Sequence, residues 1–155
     1  MPAADSLAGM HERFASDAEL YADALRRFGI DARVGEVPGE SCPGASSVNA
    51  AGRRKLIGAA QRAVRGGWLL STVVVIDTAT RVRRVLESVY AALELEWDPS
   101  TVGAVAEEAS GANVDVVERL LLEVYSQRYE LVPATLPHRV LVVAREEMPR
   151  HEVTE

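Results

Sequence analysis

The sequence predicts an α+β fold, a small antiparallel sheet with flanking helices, and three observations carry that prediction. Apolar residues recur at helical spacing through Phe14, Ala18, Tyr21, Leu25 and Phe28. A β-branched run, Trp68 to Ile76, follows the hairpin signal Gly66-Gly67. Two further amphipathic stripes come after it, one through Val82, Val85, Leu86, Val89, Tyr90 and Leu93, the other through Val117, Leu120, Leu121 and Val124. At 155 residues the chain fits one domain and can bury a real core.

The elements follow in order. Residues 1–9 are small and weakly apolar, a flexible N-terminus. The first helix runs from about Met10 to Phe28, with Gly29 as its stop. Ala32 to Val37 alternates small or apolar with polar residues and reads as a short strand. Pro38 to Ser47 holds two prolines, two glycines and three serines, which makes it a loop. Val48 to Ala51 and Lys55 to Val64 are extended segments joined by a turn at Gly52, and Gly66-Gly67 turns the chain into the Trp68–Ile76 strand. A helix capped by Asp77 or Thr78 follows. Asp98-Pro99 opens a short turn or helix, and the next helix ends near Gln127. In the tail, Val140 to Val143 suits a strand, but Pro137 at a helix start with Val140, Leu141, Ala144 and Met148 beyond it favours a helix. Residues 149–155 are a second flexible end.

Composition excludes several functions. A formal net charge of −6 argues against nucleic-acid binding, which needs a basic face to release counterions. No apolar run reaches the roughly 18 residues of a membrane span. A single cysteine, Cys42, cannot form an internal disulfide, and the N-terminus lacks the pattern of a signal peptide. A cytoplasmic location is the expectation. His11, His138 and His151 are too scattered to ligate a metal together.

One stretch stands apart. Lys55 is the only lysine against sixteen arginines, and Cys42 lies thirteen positions before it. Between residues 41 and 76 there is no Asp or Glu, while Arg53, Arg54, Lys55, Arg62 and Arg65 supply five cations. A positive island in an acidic chain suits an anionic ligand. Strand alternation would place Lys55 and Gln61 on one face with Ile57 and Ala59 between them. Gly58 would clear the opposite face for a close approach.

Glu-Ser-Cys-Pro-Gly at 40–44, Ser47-Val48-Asn49, and the Gly-x-x-Lys-x-x-Gly segment from Gly52 through Gly58 to Arg62 together resemble the biotin/lipoate protein ligase catalytic fold. The nearest branches are the lipoate-protein ligases and the cysteine-dependent octanoyltransferases. The resemblance implies that Lys55 meets the acyl carbonyl and phosphate of an acyl-adenylate, or polarises a thioester. It implies that Cys42 carries an acyl group as a thioester, and that Ser47, Asn49, Gly58, Gln61, Arg53 and Arg62 line the substrate site. The ligase branch would use ATP and Mg, and the transferase branch neither. Either would act on a lipoyl-domain lysine, with a lipoyl domain or acyl carrier protein as partner. The Ser47-Val48 pair stands where family members often carry Asp-Leu. The resemblance covers residues 21–144, the second part of the family's catalytic domain, so 10–148 reads as a partial domain. That implies a truncated homologue, or the accessory half of a split enzyme that pairs with a second polypeptide or with itself.

Overall fold

The computed structural model describes residues 9–151; most of both tails expected to be flexible lies outside that range. Helix α1 spans Met10–Arg27. Its C-terminus is closed by Gly29 at φ 88°, with Ile30 N–H bonded to the Leu25 carbonyl at 3.1 Å. That left-handed turn is one that glycine adopts without penalty. The stripe buries Ala18, Tyr21 and Leu25 as expected, and Leu20, Ala22 and Ala24 with them.

Four antiparallel strands form one sheet in chain order: β1 Ala32–Val34, β2 Val48–Ala50, β3 Arg54–Val64 and β4 Gly67–Val74. β1 is three residues shorter than expected, because Gly35 at φ 141° bends the chain away to bond Ser47. Gly66 at φ 81° makes the β3–β4 turn. Then come α2 Ala79–Ala92, a 3₁₀ turn Pro99–Thr101, the short α3 Val105–Glu108, α4 Val114–Ser126 and α5 His138–Glu147. Thr78 caps α2 by accepting the Thr80 N–H, and Asn113 caps α4 by accepting that of Val116. The tail is helical, as its proline and spacing favoured.

Helices α1 and α4 cover one face of the sheet. Tyr21 joins them, its hydroxyl bonded to Tyr125 at 2.7 Å and to Thr72 of β4 at 2.9 Å. The main core gathers Tyr21, Leu25, Val48, Leu56, Ile57, Val105 and Val117. Each large apolar side chain there contributes roughly 1.5–3 kcal/mol by leaving water. Helix α2 is anchored less deeply. Val82 and Leu86 pack beside Val102 and Trp97, while Val85, Val89 and Leu93 of the same predicted stripe stay exposed. Helix α5 buries no residue. No described helix is long and apolar enough to cross a membrane.

Candidate functional site

The pairing of β2 with β3 settles where Lys55 points. Val48 pairs with Ile57 but Asn49 pairs with Lys55, so Leu56 is an extra residue, a bulge. A bulge shifts the alternation of side chains by one. Lys55 therefore shares a face with Gly58: a Cβ on Gly58 would lie 3.2 Å from Lys55 Cε and 3.7 Å from Nζ. Ala59, opposite Thr72, faces Tyr21 on the other side, and Gln61 follows it two residues on. The expectation that Lys55 and Gln61 point the same way is corrected by this bulge. Gly58 makes room for the stem of Lys55 itself.

The Lys55 amine is turned inward, its side chain 14% exposed. Its Nζ donates to the carbonyls of Cys42 at 2.8 Å and Ser41 at 2.9 Å, and to Glu40 Oε1 at 3.3 Å. Three donors thus meet three acceptors. Glu40, whose side chain is fully buried, is the hub of the loop. It accepts from Val37 N–H at 3.2 Å, Gly44 N–H at 3.0 Å and Ser47 Oγ at 2.6 Å. A buried carboxylate needs such partners, and here they fold residues 37–47 around it. Gly39 O accepts the Asp98 N–H at 2.8 Å and docks the loop on the following turn.

Cys42 sits at the exposed crest of that loop with φ 46°, a conformation L-residues rarely hold. Its N–H donates to Tyr90 Oη of α2 at 2.7 Å, and that hydroxyl donates to Cys42 Sγ at 3.8 Å. The Tyr90 ring stacks on Trp97, centroids 5.0 Å apart. The Cys42 N–H pulls the Tyr90 phenol's pKa down, while desolvation, the Cys42 sulfur and Glu40 push it up. The net direction is upward, which keeps the proton on the phenol at neutral pH.

A cavity of about 750 Å³ opens beside this loop. Ala60, Val73, Val75, Val82 and Leu86 supply apolar wall, and Ser41, Cys42, Ser47 and Lys55 form a polar end. Its size is that of a small-molecule site, apolar with a few convergent polar groups.

The other candidates sit elsewhere. Asn49 is buried and holds backbone, donating to Gly35 O at 3.0 Å and accepting Gly52 N–H at 2.8 Å. Arg53 lines a second, polar cleft with Asp98 and Ser100. Arg54 pairs with Glu108 at 2.6 Å. Arg62 lies exposed on the hairpin. The Gln61 amide is buried without a hydrogen-bond partner among the described residues. None of Asn49, Gln61, Arg53 and Arg62 lines the large cavity; Ser47 and Gly58 do. The basic island is thus dispersed, and only Lys55 among its cations reaches the cavity. Glu40 and Tyr90 are the residues sequence reasoning left out. Glu40 was the last carboxylate before the acid-free stretch; Tyr90 belonged to an apolar helix stripe and carried no separate signal.

No protein-family model and no curated protein matches the sequence. Solved structures do. The T. acidophilum protein Ta0514, assigned as a lipoate protein ligase, superposes with a TM-score of 0.71 at 22% identity, over 96% of this chain and 57% of that one. Ta0514 with bound lipoic acid gives 0.70 at 22%, over 94% and 57%. Lipoate-protein ligase A bound with ATP gives 0.70 at 23%, again over 94% and 57%. The chain therefore has the fold of the lipoate-protein ligases, spanning a little over half the length of the solved examples it matches.

Proposed function

We propose that this chain takes part in attaching lipoate or octanoate to the lysine of a lipoyl domain, with Cys42 as the acyl carrier and Lys55 as the electrophilic stabiliser. The observation that supports this best is the convergence of the Cys42 loop and the Lys55 amine at the polar end of a large apolar cavity. The acyl chain lies against the valine and leucine walls, and its carbonyl meets the loop. A cysteine thiolate is a competent nucleophile for a thioester. The Lys55 amine sits where an oxyanion develops; its longest bond, 3.3 Å to Glu40, is the one an acyl oxygen replaces. Ser47 supports the loop through Glu40 and does not itself meet the acyl group.

ATP and Mg belong to the ligase form of this reading. When bound, ATP would supply an adenylate leaving group. Lys55, the one cation of the basic island at the cavity, would meet its phosphate, while the exposed Cys42 thiol at the same end favours the thioester route. No step is assigned to ATP.

A second reading has its own support. The chain spans only 57% of the matching structures, and Val85, Val89 and Leu93 leave part of α2 uncovered. These favour an accessory half that works by association with a second polypeptide or with itself. Incubation with octanoyl carrier protein followed by intact-mass measurement separates the two. One added octanoyl group, absent in Cys42→Ala, supports the transferase; a gain only with ATP and lipoate supports the ligase. No adduct under either condition refutes an activity of the chain alone.

A further inference from the structure

We infer that the Tyr90 hydroxyl is a catalytic group of this acyl transfer, donating a hydrogen bond to Cys42 Sγ as that sulfur leaves. The inference rests on the reading of Cys42 as acyl carrier. Its observations are independent of that reading. The phenol oxygen accepts the Cys42 N–H at 2.7 Å, which occupies a lone pair and turns the O–H towards the sulfur at 3.8 Å. The ring is fixed by its stack on Trp97, which packs in turn against the cluster of Ala79, Val102 and Ala104. The start of α2 is fixed too, by Thr78 Oγ1 accepting the Thr80 N–H and Glu107 accepting that of Ala79. Tyr90 is therefore held between Trp97 and a loop whose cysteine is kept in a left-handed conformation.

Two steps make up the transfer. In the first, Sγ attacks the carbonyl carbon of a donor thioester, the new C–Sγ bond forms, and the donor sulfur departs with the proton of the Cys42 thiol. In the second, the carrier lysine amine attacks the same carbon. The C–N bond forms, the C–Sγ bond breaks with its electron pair going to Sγ, and an amine proton ends on that sulfur. A neutral thioester sulfur draws little from a donor, whereas a departing thiolate draws much. The O–H is therefore worth most in the second transition state, which is where a catalytic interaction accelerates. In the first step it stabilises the attacking thiolate and makes it less nucleophilic, two effects that offset one another.

Tyr90→Phe keeps the ring and the Trp97 stack and removes the hydroxyl. Cys42 is acylated in both proteins with the octanoyl thioester of N-acetylcysteamine, and loss of the acyl mass in excess ethylamine is then followed. The variant is expected to melt with the parent and to load at a similar rate. It should deacylate about tenfold more slowly, less than the roughly hundredfold or more that loss of an oxyanion-hole donor costs, because the O···S contact is long. Equal deacylation rates overturn the inference. Loading and deacylation slowed alike overturn it as well, since a loop merely loosened by loss of the N–H acceptor would do that. Whether octanoyl carrier protein loads Cys42 is read separately, so failure of the functional reading is distinguishable from failure of the Tyr90 role.

Discussion

Glu40 offers the sharpest test of how the Cys42 loop is built. Its carboxylate is fully buried, and three donors, Gly44 N–H, Ser47 O–H and the Lys55 amine, converge on one oxygen while Val37 N–H takes the other. Glu40→Gln keeps an acceptor at the crowded oxygen but removes the charge and turns an N–H₂ against the Val37 N–H. One lost bond and a weakened ion pair amount to about 2 kcal/mol. Glu40→Ala leaves Gly44, Ser47 and part of the Lys55 amine without acceptors in a closed site, about 4 kcal/mol. For a chain of this length each kcal/mol lowers Tm by roughly 2–4 °C. The expected falls are thus about 6 °C and about 12 °C, measured by thermal and urea denaturation followed by circular dichroism. Protease cleavage should appear within residues 38–47 in the alanine variant first. An alanine variant within about 1 kcal/mol of the parent would refute the hub, because it would mean that those donors reach water.

Three further outcomes are expected. Gly103→Ala should destabilise by about 2 kcal/mol in urea, since its Cβ would lie 2.8 Å from Arg54 Cβ and 3.0 Å from Leu56 Cδ2; an unchanged midpoint would show that strand β3 yields there. Burial, with help from Tyr21, raises the Tyr125 phenol far above the tyrosine range. Its neutral form is favoured by folding, so that stabilisation is complete below the unfolded value of about 10 and is lost as pH rises beyond it. Tyr125→Phe should flatten this alkaline fall, and a variant with the parent's slope would contradict it. Because α5 buries nothing, a chain ended at Glu130 should melt within about 2 °C of the parent, and a larger drop would reveal packing by the tail.

The sequence was informative where local chemistry decides. The α1 stripe, its Gly29 stop and the Gly66 hairpin turn need only period and turn residues, and each is in place. The loop and its lysine were legible for a similar reason: a lone amine in an acid-free stretch stands out, and it does meet the cysteine loop. The direction of Lys55 was not legible along β3. The bulge at Leu56 arises from how β3 pairs with β2, which no period within β3 records. The residues of the substrate list are dispersed for a related reason. Strand alternation put Gln61 beside Lys55, and the resemblance put Asn49, Arg53 and Arg62 there, but the sheet's two faces and the β2–β3 turn separate them. Helix α2 illustrates another limit. A stripe predicts an apolar face but not what covers it, and half of this one stays bare.

The central claim is that a loop clamped by Lys55 and Glu40 presents Cys42 to an acyl chain lying in the adjoining apolar cavity. Peptide mapping by mass spectrometry after exposure to octanoyl carrier protein tests it most directly. The account predicts a single hydroxylamine-labile octanoyl group on the peptide bearing Cys42, lost when Val73→Asp and Val82→Asp put charge into the cavity wall. An acyl group on other residues, or equal loading of Cys42 with the cavity so altered, would contradict it.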